Sequence, residues 1–139
     1  MNDNNSEIQL PDYVLVNPRL TDDPVYRQGE IGVITAAILN RDEFFVGFDD
    51  GQVGLYSADA LLMLKQPESI YEYMHENALK LSVDDFKNLK NIALLLDYGT
   101  PREQRTAMEI ARKNLGVQPA ALVSLEERLG LKQSYKRGR

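Results

Sequence analysis

The chain has 139 residues, no cysteine, no tryptophan, one histidine and a formal net charge of −5. That excludes disulfides, thiolate nucleophiles and cysteine-built metal sites, and leaves His75 as the one imidazole. With 43% hydrophobic and 27% charged residues, the composition is that of an ordinary globular fold, large enough for one domain or two small subdomains sharing a core.

The charge is unevenly placed. Residues 1–79 hold four Lys/Arg against fourteen Asp/Glu, whereas residues 80–139 hold twelve against seven. The halves attract each other, and the acidic half repels phosphate. The opening MNDNNSEIQL lacks the basic and apolar regions of an export signal. The longest apolar runs, at 60–64 and 92–96, have five residues each, where a membrane span needs about 20. A cytoplasmic protein without membrane contact is expected.

In chain order, residues 1–66 read as β. Tyr13–Val16 is a short apolar strand stopped by Asn17-Pro18, and a polar connection follows in which Pro24 opposes a helix. GEIGVITAAIL alternates and is rich in β-branched residues until a turn at 40–43. EFFVGF, the turn signal Asp50-Gly51 and QVGLY make a hairpin. SADAL suits one helical turn, and residues 62–64 a closing strand.

From Pro67 the period becomes helical. The first helix places Ile70, Met74, Ala78 and Leu81 on one stripe. Ser82 caps the second, with Phe86, Leu89, Ala93 and Leu96 inward and Gly99 at its end. Thr100-Pro101-Arg102-Glu103 starts the third, with Ala107, Ile110, Ala111 and Leu115 inward and Gly116 at its end. Pro119 opens a fourth, carrying Leu122, Leu125 and Leu129 to Gly130.

Gly29-Glu30-Ile31-Gly32-Val33-Ile34 resembles the Gly-x-x-Gly-x-Val of KOW segments. Val46-Gly47-Phe48-Asp49-Asp50-Gly51, followed by Tyr56 and Leu61, is similar to the strand-turn of Tudor domains. Together they resemble the SH3-like barrel superfamily over residues 13–65. The fold implied is α+β: a small SH3-like β-barrel over 1–66, packed with a four-helix segment over 67–131 and followed by a basic, disordered tail at 132–139. Such barrels bind RNA, methylated peptides or proline-rich peptides, so the resemblance implies a fold more than a ligand. Thr106–Gly130 also looks superficially like a helix-turn-helix. However, five residues separate Ala111 from Gly116 where the tight turn has four, and the would-be recognition helix offers Ser124, Glu126 and Glu127 to base edges.

No catalytic constellation assembles. His75 has no nucleophile in register, and Asp49, Asp50 and Asp59 lack the spacing of a calcium loop. No catalytic residue, metal site or cofactor is therefore expected, and the protein is read as a non-enzyme. If Asp50-Gly51 forms a two-residue turn, Gly47 opposes Gly54 and Phe45 opposes Tyr56 on the hairpin's outer face. Opposed glycines weaken a strand by about 1 kcal/mol each, so either a helix or loop of the same chain covers them or the platform stays open for a peptide or a flat ligand. In the open case Tyr26 closes one side of a site made of Phe45, Tyr56, Gly47 and Gly54. The expected function is a protein-interaction or adaptor module, monomeric or a small homo-oligomer, whose partner is a protein or peptide. The alternative is a nucleic-acid-associated regulator using Arg102, Arg105, Arg112, Lys113 and the tail residues Lys136, Arg137 and Arg139.

Overall fold

A computed structural model describes residues 9–23 and 25–130. Pro24 and the tail at 132–139, with Lys136, Arg137 and Arg139, lie outside the described residues. The fold is α+β. Its strands are β1 (Val14–Val16), β2 (Ile31–Ile38), β3 (Glu43–Gly47), β4 (Val53–Tyr56), β5 (Leu61–Leu64) and β6 (Leu122–Ser124). Its helices are α1 (Pro67–Glu76), α2 (Val83–Tyr98), α3 (Pro101–Lys113), α4 (Gln118–Ala121) and α5 (Leu125–Leu129).

The sheet corrects the expected closed barrel. Its six antiparallel strands lie in the open order β4-β3-β2-β1-β5-β6. β5 pairs with β1 as a closing strand would, but its other edge is taken by β6, which comes from the helical half (Leu62↔Ser124, Leu64↔Leu122). The last strand is thus occupied and does not return to β4. A bulge between Ile34 and Ala36 bends β2, and the concave side is filled by side chains instead of by closure. Val14, Val16, Phe44, Val46, Phe48, Tyr56, Leu61 and Met63 meet there with Leu125 of α5.

β1 is the hinge between two cores. Alternate side chains of a strand point to opposite faces, so Val14 and Val16 enter the concave core. Leu15 turns instead to the helices, where it joins Ile31, Ile70, Met74, Leu89, Ile92, Ala107, Met108 and Val117.

The helix starts follow their caps. Ser82 accepts from the Asp85 N–H at 3.0 Å, Thr100 from the Glu103 N–H at 3.4 Å, and Gly99 ends α2 in the left-handed region at φ 78°. Two expectations fail at local hydrogen bonds. α1 stops at Glu76 because Asn77 turns its side-chain amide back onto the Tyr73 carbonyl at 2.9 Å, which leaves Ala78 and Leu81 in the following turn. The expected fourth helix is cut by β6. Ser124 opens a new helix, accepting from the Glu127 N–H at 3.0 Å. Its Ser-x-x-Glu pattern is a start signal inside the apparently continuous helical run.

Because α5 replaces barrel closure, its one fully buried side chain carries the concave core. Leu125→Ala is expected to destabilise the protein by about 2–5 kcal/mol, measured by denaturant unfolding.

Candidate functional site

The hairpin turns over three residues, not two. The Gly51 N–H donates to the Phe48 carbonyl at 2.9 Å, the Phe48 N–H donates to the Gln52 carbonyl at 2.9 Å, and Gly51 sits at φ 89°. This is a β-turn followed by a left-handed residue, a common three-residue hairpin loop for which glycine is the natural choice. Asp50 completes it by accepting the Gln52 N–H at 3.1 Å.

An odd loop shifts the register by one residue from the expectation. The pairs are Phe44↔Tyr56, Phe45↔Leu55, Val46↔Gly54 and Gly47↔Val53. Gly47 and Gly54 therefore do not face each other, and Phe45 does not pair with Tyr56. Tyr56 is on the concave face and 5% exposed, Phe45 is half-buried on the outer face, and Tyr26 is 81% exposed on the long loop at φ 55°. The five residues do not converge on one surface.

Each glycine has its own cause. At Gly54 a Cβ would stand 2.7 Å from Cε2 and 2.9 Å from the hydroxyl of Tyr56, whose ring lies across it. At Gly32 a Cβ would be 2.4 Å from Val46 Cγ1 and 3.0 Å from the Phe48 ring. At Gly47 the space belongs to Thr35, the unpaired residue of the bulge, whose methyl would be 3.2 Å away. Among the described residues, side chains of the sheet and its turn, and not a helix, fill the space at these glycines.

Tyr56 lies over Gly54 in order to reach Asp23. Its hydroxyl donates to the Asp23 carboxylate, 3.0 Å from Oδ2, and Asp23 is 3% exposed. The same carboxylate accepts the N–H groups of Val25 and Arg27, both at 3.0 Å. A buried carboxylate with three donors is satisfied, and it folds the long connection onto the hairpin. Burial, and then the hydrogen bond to Asp23, hold the Tyr56 phenol well above the usual tyrosine range.

A second tie lies at the turn. Arg27 donates to Asp50, Gln52 and Glu30, and its guanidinium stacks 5.1 Å from the Phe48 ring centre. The hydrogen bond from Arg27 holds the Asp50 carboxyl below its usual range. Arg105 of α3 reaches Asp49 at 3.1 Å and Glu109 at 3.7 Å, and Arg112 reaches Glu109 at 3.0 Å. The resulting cleft between turn and helix, about 400 Å³, holds three arginines facing four carboxylates. Arg105 and Arg112, two candidates for nucleic-acid contact, are thus engaged in ion pairs within the chain, while Arg102 and Lys113 are exposed.

The outer face of β2–β3–β4 is where apolar surface stays bare. Two rows cross the three strands: Ala36–Phe45–Leu55 and Val33–Gly47–Val53. Leu55 and Val53 are each 50% exposed and Val33 41%. Beside them β4 is an edge strand without a charged residue from Gln52 to Tyr56. The Phe48–Gln52 bond sets the alternation, so Val53 and Leu55 turn their N–H and C=O groups outward. Val53 and Leu55 were absent from the residues expected at the site. The missing signal was Phe48-Asp-Asp-Gly51 as a type of turn with glycine third in the loop.

His75 is exposed on α1, and among the described residues no three His, Asp or Glu side chains are grouped to hold a metal ion. Among the same residues no helix is long and apolar enough to cross a membrane. Comparison with protein-family models, curated proteins and solved structures finds no match for the chain.

Two substitutions separate the roles of the hairpin's inner residues. Gly54→Ala is expected to cost about 1–3 kcal/mol by forcing the Tyr56 ring off its seat. Tyr56→Phe removes one donor from a buried carboxylate and is expected to cost about 1.5–3 kcal/mol. The second cost depends on pH. A phenol whose folded pKa is raised stabilises the fold fully below its unfolded value of roughly 10, and loses that contribution as pH rises further. Denaturant unfolding of wild type and Tyr56→Phe should therefore show a constant gap from pH 7 to 9 that narrows above about 10.

Proposed function

We propose that this protein is a non-enzymatic interaction module that receives an extended segment of a partner protein along β4. The observation that carries this reading is the coincidence of an uncharged strand edge, unpaired among the described residues, with an apolar outer face made by exposed Val33, Val53 and Leu55 and half-buried Phe45. Natural sheets blunt their edges with lysine, proline, bulges or a covering element. The bulge falls on β2, and among the described residues β4 carries none of these devices.

Strand addition draws affinity from main-chain hydrogen bonds and specificity from alternate side chains. Here the outward N–H and C=O groups of Val53 and Leu55 supply the first. The two cross-strand rows supply the second: Val33 and Val53 on either side of Gly47, whose free space the Thr35 methyl takes, and the aromatic–aliphatic row Phe45–Leu55. The preferred segment is one with alternating apolar side chains and little charge. This reading keeps Phe45 and Gly47 from the residues expected at the site, and replaces Tyr56, Gly54 and Tyr26 with Val53, Leu55 and Val33.

Selection of displayed random peptides on the purified protein tests it. Peptides with alternating apolar residues should be enriched, and they should slow hydrogen exchange at the Val53 and Leu55 amides. Val53→Lys/Leu55→Lys should lose about tenfold or more in affinity, since charges then face apolar side chains. The same variant should unfold within about 1 kcal/mol of wild type, because both side chains are half in solvent. Binding unaffected by the two lysines sinks the proposal.

A further inference from the structure

Helix α2 is apolar on two sides. Leu89, Ile92 and Ala93 are buried against α1 and α3. A second line runs through positions 83, 87, 90, 94 and 98, whose spacing of three and four keeps them on one face. On it Val83 is 69% exposed, Leu94 44% and Tyr98 75%, with Lys87 and Lys90 between them. At the N-terminal end, the turn after α1 leaves Leu79 fully exposed. Beside it Ala78, Leu81, Val83 and Phe86 wall an apolar cleft of about 390 Å³ that Lys87 and Lys90 border. Among the described residues, Lys80, Lys87 and Lys90 make no ion pair.

We infer that this face is a second docking surface, distinct from the sheet edge, and that its occupant is an acidic amphipathic helix of a partner protein. Charge complementarity selects the occupant. Three free lysines surround apolar positions on a chain that is otherwise acidic, so an apolar helix face flanked by carboxylates matches both features. The cleft has the concave shape that takes an anchoring side chain, and the exposed line beyond it to Leu94 suits anchors spaced three and four residues apart. An anionic bilayer fits less well, because the apolar anchor point is a cleft of about 390 Å³ that takes a single side chain and that a flat lipid surface does not fill. Phe86, expected to face inward, is instead 39% exposed on this face.

The test uses a synthetic helical peptide with leucine and phenylalanine at heptad a and d positions and glutamate flanking them, titrated into isotope-labelled protein. A peptide of equal composition with the pattern scrambled is the control. The patterned peptide should shift resonances of Leu79, Val83, Phe86 and Lys90, and its affinity should fall with added salt. Lys87→Glu/Lys90→Glu should weaken it by about tenfold or more. Leu79→Ser, at a side chain with no packing to lose, should weaken it without altering thermal unfolding. Equal binding of the scrambled peptide, or binding indifferent to both variants, overturns the inference. Two further results would overturn it by naming another occupant. One is capture by phosphatidylserine vesicles but not by the peptide. The other is a dimer, seen by sedimentation, that dissociates in the Lys87→Glu/Lys90→Glu variant.

Discussion

Three residues separate the paired positions Phe48 and Gln52, and the parity of that number decides which side chains the hairpin buries. In a strand each side chain alternates between faces, so adding one residue to a loop exchanges the inner and outer sets of the strand that follows. With a two-residue loop, Val53 and Leu55 would enter the core and Tyr56 would stand outside. With Gly51 in the left-handed region, Gly54 and Tyr56 go inward and the two aliphatic residues face solvent. The remainder of the sheet's chemistry follows from this choice.

The inward Tyr56 has a polar end that must be satisfied, and Asp23 is what satisfies it. A carboxylate this deeply buried is costly unless several donors converge on it. Val25 and Arg27 give it two backbone N–H groups from its own loop, and Tyr56 gives it the hydroxyl. Arg27 is then carried to the turn, where it binds Asp50 and covers Phe48. One connection that looked like a featureless polar loop is thereby fastened to both ends of the hairpin. Gly54 is the steric condition for that fastening, since any Cβ there would meet the phenol ring.

Local signals in the sequence were the most legible. Ser82, Gly99 and Thr100 mark helix ends where their capping chemistry operates, and apolar runs, one β-branched alternation and the turn signals find five of the six strands within two residues. What escaped depended on partners distant in the chain. A three-residue strand such as β6 has no period of its own and exists because β5 offers an edge. Leu122, Leu125 and Leu129 have helical spacing by coincidence, and only Ser124 with Glu127 betrays the break. Closure of the barrel was undone by that same strand, which no reading of residues 13–65 alone could include. At the site, Asp50-Gly51 suggested a two-residue turn. Glycine third in a three-residue loop fits the same letters and reverses the face. Asp23 carried no signal at all, because its importance lies in a hydrogen bond across 33 residues.

The same partition explains why apolar surface remains on both layers. The concave side of the sheet is closed by α5 and the other side of β1 and β5 by the helices, so among the described residues no element is left to cover the outer face of β3 and β4. On the helical layer, α2 spends one face on α1 and α3, and among the described residues no further helix covers the other. A short, uncharged edge beside exposed valine and leucine invites uncontrolled pairing of like with like. The net charge of −5 opposes this at long range by keeping copies apart, while leaving the edge itself free of charge. The α2 face works oppositely, with lysines that favour acidic surfaces and disfavour one another. On the proposed reading these two apolar surfaces, one a neutral strand edge and the other a cleft bordered by Lys87 and Lys90, select different segments. Because Arg105 of α3 binds Asp49 in the hairpin turn, the layers that carry them are tied across the cleft. On the proposed reading, the protein holds two unlike segments in a fixed relation, which is a task for a rigid adaptor and requires no reactive group.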